Sequence, residues 1–342
     1  MRCVRIGIKK VHGIDLKDAE SAVRINESIK KLYKPGFYKK VLYEQGNIDY
    51  VIKVTSSNKK PDFGKTEFPN FFRLVPNIDS KVEFANPEDV NLIGKEYGVS
   101  IQNIDDIKIL YNKIIEAYIA NGVVGFKSAI AYSRSINFPN YPKEQAEQIL
   151  QKLISTEKND EKIALSKQEQ ENLTNYCMNL MLNVIAEHDK PISFHTGLLA
   201  GSHKDVRGSN PQYLISLLEG HRNLNFDIFH GGWPYTQEFI EMGKSWSNAY
   251  LNLCWLHIIS PEGARKQLSE MLECVPINKI FAFGGDFTYP EPIIGHLEIA
   301  KENCAIVLAE KVLDGYFTED ESIEYAKRIL RTNSIEFFKL EK

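Results

Sequence analysis

The sequence has few cysteines and no excess of charge of one sign. Its 342 residues include five cysteines, which are widely spaced and form no Cys-x-x-Cys pair. This usage favours buried thiols in a reducing compartment over a disulfide framework. The 42 basic and 45 acidic side chains give a net charge of −3. The chain therefore lacks the basic balance that is typical of nucleic-acid-binding proteins.

Long hydrophobic runs are also absent. No stretch approaches the roughly 20 apolar residues that a membrane helix needs. Residues 1–15 contain basic side chains but no apolar core of about 7–15 residues, so they do not resemble a secretory signal. The composition is 43% hydrophobic and 25% charged, which is typical of a globular protein and excludes disorder. These features predict a cytoplasmic protein that binds neither nucleic acid nor membrane.

Short β-branched and aromatic runs alternate with helical patterns along most of the chain. Apolar residues recur at helical spacing most clearly over residues 104–118 and 173–185. The predicted strands are residues 49–54, 71–75, 123–127, 191–195, 225–230, 249–254 and 279–283. Repeated strand–helix alternation predicts right-handed βαβ units and a parallel sheet. Seven such strands without a glycine-rich nucleotide loop favour an α/β fold of the (β/α)8 TIM-barrel type.

No internal repeat, linker or low-complexity tract divides the sequence. We therefore expect residues 1–342 to form a single (β/α) barrel domain. Residues 137–168 are polar and charged, and they interrupt the alternation between two predicted strands. This segment is predicted to be an insertion that is helical in part and ends in a solvated loop.

Ionisable side chains lie at the ends of several predicted strands. The leading candidates are Lys127, His195, His230 and Asp286. Each alone has a commoner structural explanation, such as a capping residue or a salt-bridge partner. Because the carboxyl ends of barrel strands meet at one rim, where catalytic groups lie, the set together indicates a site. Imidazole and carboxylate groups bind divalent metals such as zinc, which lowers the pKa of bound water to about 7.

Three short motifs resemble the amidohydrolase-related branch of the amidohydrolase superfamily, a group of metal-dependent TIM-barrel hydrolases. The motifs are His-Thr-Gly at 195–197, His-Gly-Gly at 230–232 and the Gly-Gly-Asp of residues 283–291. The resemblance covers about residues 45–342. It implies that His195 is a metal ligand, that Asp286 is a ligand and the proton acceptor, and that His230 is an electrostatic or acid–base partner.

The sequence departs from this family at the first strand, which should end in His-x-His and supply two further ligands. No such motif occurs, and the only histidine before residue 188 is His12. We therefore expect the first barrel strand to be missing or atypical, either because a further N-terminal segment precedes this chain or because the protein has diverged. Zinc is the expected ion, but His195 and Asp286 are fewer than the three ligands of a usual catalytic site, so its occupancy is open.

Candidate substrate-binding residues are Lys127, Arg207, Trp233 and Arg73. Cationic donors beside aromatic walls suit a small carboxylate-bearing compound. The leading hypothesis is a metal-dependent hydrolase that acts on such a compound through metal-activated water. Alternatives are a decarboxylase or sugar-acid isomerase on the same barrel, or an inactive barrel used for binding or assembly. The expected partner is a small molecule, and homo-oligomerisation stays open.

Overall fold

The computed structural model describes residues 2–55, 68, 70–158 and 165–340. Its N-terminal part is helical: α1 spans Arg2–His12, α2 spans Ala19–Leu32, and a π-helical stretch spans Lys39–Gln45. α2 begins after Asp18, whose carboxylate accepts a hydrogen bond from the Ser21 backbone N–H in a capping box. Residues 2–50 contain no strand, and the missing or atypical first barrel strand stays a prediction.

All seven predicted strands are present, and each is parallel to its neighbours. They are β1 (Val51–Thr55), β2 (Phe72–Pro76), β3 (Phe126–Ser128), β4 (Ile192–Phe194), β5 (Phe226–Ile228), β6 (Ala249–Asn252) and β7 (Ile280–Phe281). β1 pairs with β2, and β3 to β7 pair in sequence order. A bridge between Asn77 and Lys127 continues the sheet from β2 to β3. Every residue of β3, β4, β5 and β7 is buried, as is usual for strands of a parallel sheet that is covered on both faces.

At least one helix follows each strand from β2 to β7, as in a parallel barrel. They are α3 (Asp79–Val82), α4 (Pro87–Tyr97), α5 (Ile104–Ala120), α6 (Lys143–Lys158), α7 (Lys167–Glu187), α8 (Ile215–Gly220), α9 (Thr236–Ser245), α10 (Leu256–Ile259), α11 (Pro261–Cys274), α12 (Pro290–Leu313), α13 (Glu319–Lys327) and α14 (Asn333–Phe337). The alternation confirms the predicted α/β fold of the TIM-barrel type. Among the described helices, none is both long enough and apolar enough to cross a bilayer.

The segment predicted as a polar insertion contains α6, which is amphipathic. Its apolar side chains join the main hydrophobic core; they are Ala146, Ile149, Leu150, Leu153 and Ile154. The polar residues of this segment therefore form one face of a packed helix. The solvated loop predicted after it falls partly on residues 159–164, which lie outside the described residues.

The C-terminal segment packs between the two ends of the sheet. Within the described residues no ladder joins β7 to β1, and the Ala282 N–H donates instead to the Ile329 carbonyl at 2.8 Å. Phe337 and Phe338 are buried with Phe281, and the partly buried Ile52 of β1 packs against them. The aromatic side chains of the C-terminal segment thus pack against residues of β1 and β7.

Candidate metal centre

Five adjacent strands bring chemically active side chains to one rim of the sheet. Lys127 lies within β3, His195 follows β4 directly, and His230 follows β5 by two residues. Cys254 lies two residues after β6, and Asp286 lies five residues after β7. All are buried except Asp286, which is exposed to solvent. The structure therefore places the four leading candidates from the sequence together, and it adds a cysteine.

The backbone at three of these strand ends is in the left-handed region. φ is +67° at His230, +67° at Trp255 and +48° at Asp286. Such a conformation costs a non-glycine residue about 1–3 kcal/mol and persists where the surrounding structure enforces it. Three consecutive strands carry this strain beside the same cluster. The strain thus aims the side chains of His230 and Asp286, and the backbone of Cys254 just before Trp255, at a common point.

The two histidines are fixed by carbonyl groups and face each other. His230 Nδ1 lies 3.0 Å from the Cys254 carbonyl oxygen, and His195 Nε2 lies 2.9 Å from the Leu198 carbonyl oxygen. Because a carbonyl oxygen only accepts, each of these ring nitrogens donates its hydrogen. The remaining nitrogens, His230 Nε2 and His195 Nδ1, are 3.1 Å apart. Two imidazole lone pairs therefore point at each other.

A proton is poorly placed to relieve this contact. Burial is the largest cause that lowers the pKa of His195, to about 2, with the neighbouring His230 and Lys127 adding to it. Burial also lowers the pKa of His230, to about 3, and Lys127 again contributes. Both rings are thus neutral at neutral pH. A cation bound between the two lone pairs would turn this repulsive contact into a favourable one.

Two further donor groups adjoin the pair. The ligand atoms of His230, Cys254 and Asp286 all lie within 4.8 Å of one another. Imidazole, thiolate and carboxylate are the ligand types that zinc takes, and a catalytic zinc site needs about three of them. The residues present therefore fit a divalent metal ion. His195 joins the group through its contact with His230.

Lys127 contributes a buried cation without a hydrogen-bond partner. Its Nζ is buried, donates no hydrogen bond to any described residue, and lies 3.3 Å from the centroid of the Phe229 ring. Burial lowers the pKa of Lys127 to about 8, and the charges of Asp227 and Asp286 oppose that shift. The side chain is therefore mainly protonated at neutral pH. The Trp255 indole N–H is a second buried donor without a partner in the described chain.

A polar network under the rim was not identified from the sequence. Asp227, in the middle of β5, accepts hydrogen bonds from Ser193 Oγ at 2.8 Å and from Asn252 Nδ2 at 3.0 Å. The Asn252 Oδ1 atom then accepts the Cys254 backbone N–H at 2.9 Å. Polar residues inside otherwise apolar strands were the available signal, because buried polar groups need partners. The network holds the backbone N–H of Cys254, whose carbonyl accepts the hydrogen bond from His230.

The remaining predicted substrate residues lie in other surroundings. Arg207 is exposed and makes a two-point ion pair with Asp205, with Nη2–Oδ2 at 2.6 Å. Arg73 lies in the amino-terminal half of β2, with its guanidinium 5.4 Å from the centroid of the Tyr50 ring. Trp233 is partly buried against the core, beside the turn at Gly197 that follows His195. Of these three residues, Trp233 is the one that packs against the turn at Gly197, two residues after His195.

Solved structures of other proteins share the fold of this chain. The structure superposes on a uronate isomerase from Thermotoga maritima with a TM-score of 0.75 and 15% identity, covering 98% of this chain and 78% of that chain. A Lactobacillus casei ATCC 334 protein, provisionally assigned as a metal-dependent hydrolase, gives a TM-score of 0.67 and 17% identity, covering 89% and 76%. At these identities the likeness shows a common fold. The class is the TIM-barrel group to which these proteins belong.

The sequence comparisons give the family. A family model described as amidohydrolase matches residues 157–340, more than half of the chain. Protein fluG of Emericella nidulans is 25% identical over 224 residues, which is 64% of this chain and 26% of that protein. The chain thus spans about a quarter of the length of this curated relative. It belongs to the amidohydrolase family, as the motifs at His195, His230 and Asp286 suggested.

Proposed function

We propose that this chain is a metal-dependent hydrolase that acts on a small carboxylate-bearing compound. One observation carries the proposal: the neutral rings of His195 and His230 aim two lone pairs at each other, next to the carboxylate of Asp286. Burying two unprotonated imidazoles in this arrangement is costly unless a cation joins them. The family membership of the chain supports a divalent ion as that cation.

His195, His230 and Asp286 would hold this ion, with zinc preferred because of the imidazole ligands. Bound zinc supplies a hydroxide equivalent at neutral pH by lowering the pKa of water to about 7. The exposed position of Asp286 lets its carboxylate receive a proton from water and pass it to solvent or to a leaving group. His230 is held in one tautomer by the Cys254 carbonyl, so its Nε2 keeps a free lone pair.

Lys127 and Trp255 would bind the substrate. Their buried donors, Nζ and Nε1, have no acceptor in the described part of the chain. A buried ammonium without a partner is unfavourable, and a substrate carboxylate would satisfy it with a charge-assisted hydrogen bond. The charge of Asp286 also acts on the pKa of Lys127, which supports a substrate carboxylate bound near the proposed proton acceptor.

Two alternatives use the same site differently. A sugar-acid isomerase would also need a carboxylate grip, and one of the structures with this fold is a uronate isomerase. An inactive barrel used for binding or assembly is favoured by the missing His-x-His motif. Metal content and product analysis separate these functions.

The test compares zinc content and turnover of the wild-type chain with those of Asp286→Asn. Carboxylate-bearing amides and esters are the substrates, and Asp314→Asn, an exposed position at the end of α12, is the matched control. We expect the wild type and the control to bind zinc and turn over, and Asp286→Asn to lose at least about 100-fold in turnover. Equal zinc content and equal turnover in both chains would remove Asp286 from the mechanism. Sugar-acid interconversion without hydrolysis would favour the isomerase, and release of carbon dioxide would favour a decarboxylase.

A further inference from the structure

Cys254 occupies a position at the rim that the function proposed above leaves unused. We propose that its thiolate is a ligand of the same metal ion, so that a sulfur donor offsets the missing His-x-His ligands and makes the site selective for zinc-like ions. This inference rests on the proposed metal site. It adds one donor to that site and predicts a spectroscopic signature that a site of nitrogen and oxygen alone cannot give.

The distances suit a shared ion. Zinc–sulfur bonds are about 2.3 Å and zinc–nitrogen bonds about 2.0–2.1 Å, so two ligands of one zinc ion lie at most about 4.4 Å apart. The ligand atoms of Cys254, His230 and Asp286 already lie within 4.8 Å of one another. Shifts of a few tenths of an ångström would bring all three onto one ion. The thiol is buried and forms no disulfide.

The loop that carries Asp286 leaves room for this sulfur. A Cβ atom at Gly284 would lie 2.6 Å from Cys254 Sγ and 2.7 Å from its Cβ. Real Cβ atoms do not approach other heavy atoms this closely, so any larger residue would displace the thiol. The backbone N–H of Trp255 also donates a hydrogen bond to the Gly284 carbonyl at 3.2 Å. The thiol and the carboxylate loop are therefore fitted to each other.

The backbone of Cys254 is held on both sides. Its N–H donates to Asn252 Oδ1 at 2.9 Å, and its carbonyl accepts from His230 Nδ1 at 3.0 Å. The same residue thus orients one ligand and presents another. Such preorganisation is what metal sites gain from the groups around their ligands.

The chemistry of a thiolate then determines which ion is held. Thiolate is a soft ligand that favours zinc and related transition metals, whereas magnesium and manganese prefer oxygen ligands. Binding releases the thiol proton to solvent, because the thiolate is the form that bonds to the metal. We therefore expect zinc and cobalt to bind and magnesium to compete poorly.

Cobalt titration of the full chain tests this inference without an enzyme assay. A thiolate ligand gives a sulfur-to-cobalt charge-transfer absorption in the near ultraviolet. We expect the wild type to show this band at one cobalt per chain, and Cys254→Ser to lack it with zinc affinity reduced at least about tenfold. Cys304→Ser is the matched control, since Cys304 is also buried and lies on α12 away from the rim. It should keep the band.

The outcomes separate this inference from the proposed function. Cobalt binding to the wild type without the band would overturn the role of Cys254 and leave a site of histidine and aspartate intact. No binding of cobalt or zinc would overturn both. The wild-type spectrum alone decides the question if the serine variant does not fold, and Cys254→Ala provides a second variant for the affinity measurement.

Discussion

Two regions of the chain, the N-terminal region (residues 2–76) and the C-terminal region (residues 126–340), differ in the side chains that their strands carry. In residues 126–340, five adjacent strands lead to Lys127, His195, His230, Cys254 and Asp286. In residues 2–76, β1 and β2 end in Thr55 and Pro76, and three helical stretches precede them. The amidohydrolase family model matches only residues 157–340. The candidate metal ligands and the buried lysine of this barrel therefore all lie in its C-terminal region.

The N-terminal region, residues 2–76, contributes to the fold through packing. α1 crosses α12 so closely that a Cβ atom at Gly7 would overlap the Glu291 carbonyl oxygen. His12 is the single histidine of this region; its Nε2 lies 3.1 Å from Glu291 Oε1 and its Nδ1 lies 2.9 Å from Ser28 Oγ. These contacts tie α1 and α2 to α12, which begins four residues after Asp286. These contacts are made to α12 and not to Asp286 itself, so we expect them to stabilise the fold more than the metal site.

The largest effect in this comparison is expected at the α1–α12 crossing. Gly7→Ala places a methyl group against backbone, which cannot move aside as a side chain can. We expect a loss of about 3 kcal/mol in the free energy of unfolding, measured by urea denaturation, with zinc affinity of the folded chain nearly unchanged.

Gly220→Ala is the control for that substitution. Gly220 ends α8, and a Cβ atom there meets nothing within 4 Å. Its stability should change by less than about 1 kcal/mol. If Gly7→Ala abolished zinc binding in chains that remain folded, the N-terminal region would take part in metal binding, and the proposed difference between the two regions would be wrong.

A smaller effect, on zinc affinity, is expected in the C-terminal region at one of two buried asparagines. Asn252 is the last residue of β6, and Asn248 directly precedes that strand. Asn252→Ala removes the link between Asp227 and the Cys254 peptide, which orients His230. We expect zinc affinity to fall about 10–100-fold, measured by competition with a chelator. Asn248→Ala removes three hydrogen bonds to carbonyl groups at the other end of β6.

That second variant is the matched control. It should lower the free energy of unfolding by about 1–3 kcal/mol while leaving zinc affinity unchanged. Equal losses of affinity in both variants would mean that the Asp227 network stabilises the barrel without positioning the metal ligands.

Much of the fold could be predicted because hydrophobic periodicity is local. The helices over residues 104–118 and 173–185 and all seven strands follow from spacing alone, and α5 and α7 contain the predicted helices. The packing of α6 could not be predicted, because charged residues dominate its sequence and its apolar face is buried only through contacts with distant parts of the chain. The C-terminal aromatic cluster likewise depends on long-range packing.

The site was predictable where a residue follows a strand directly. His195 follows β4 directly, and His230 and Asp286 stand beside paired glycines two and five residues after their strands. Cys254 was missed because a lone cysteine after an apolar strand looks like core, and its chemistry depends on distances to His230 and Asp286. The Asp227 network depends on contacts between three strands, which no local pattern contains.

The most direct test of the central claim is a zinc titration of the wild-type chain followed by the ¹⁵N shifts of its histidine side chains. The resonances can be assigned with His195→Gln and His230→Gln. We predict that one equivalent of zinc moves His230 Nε2 and His195 Nδ1, the two nitrogens that face each other, and leaves His257 and His296 in place. If these two nitrogens do not move, or if other histidines move instead, the proposed metal centre is contradicted.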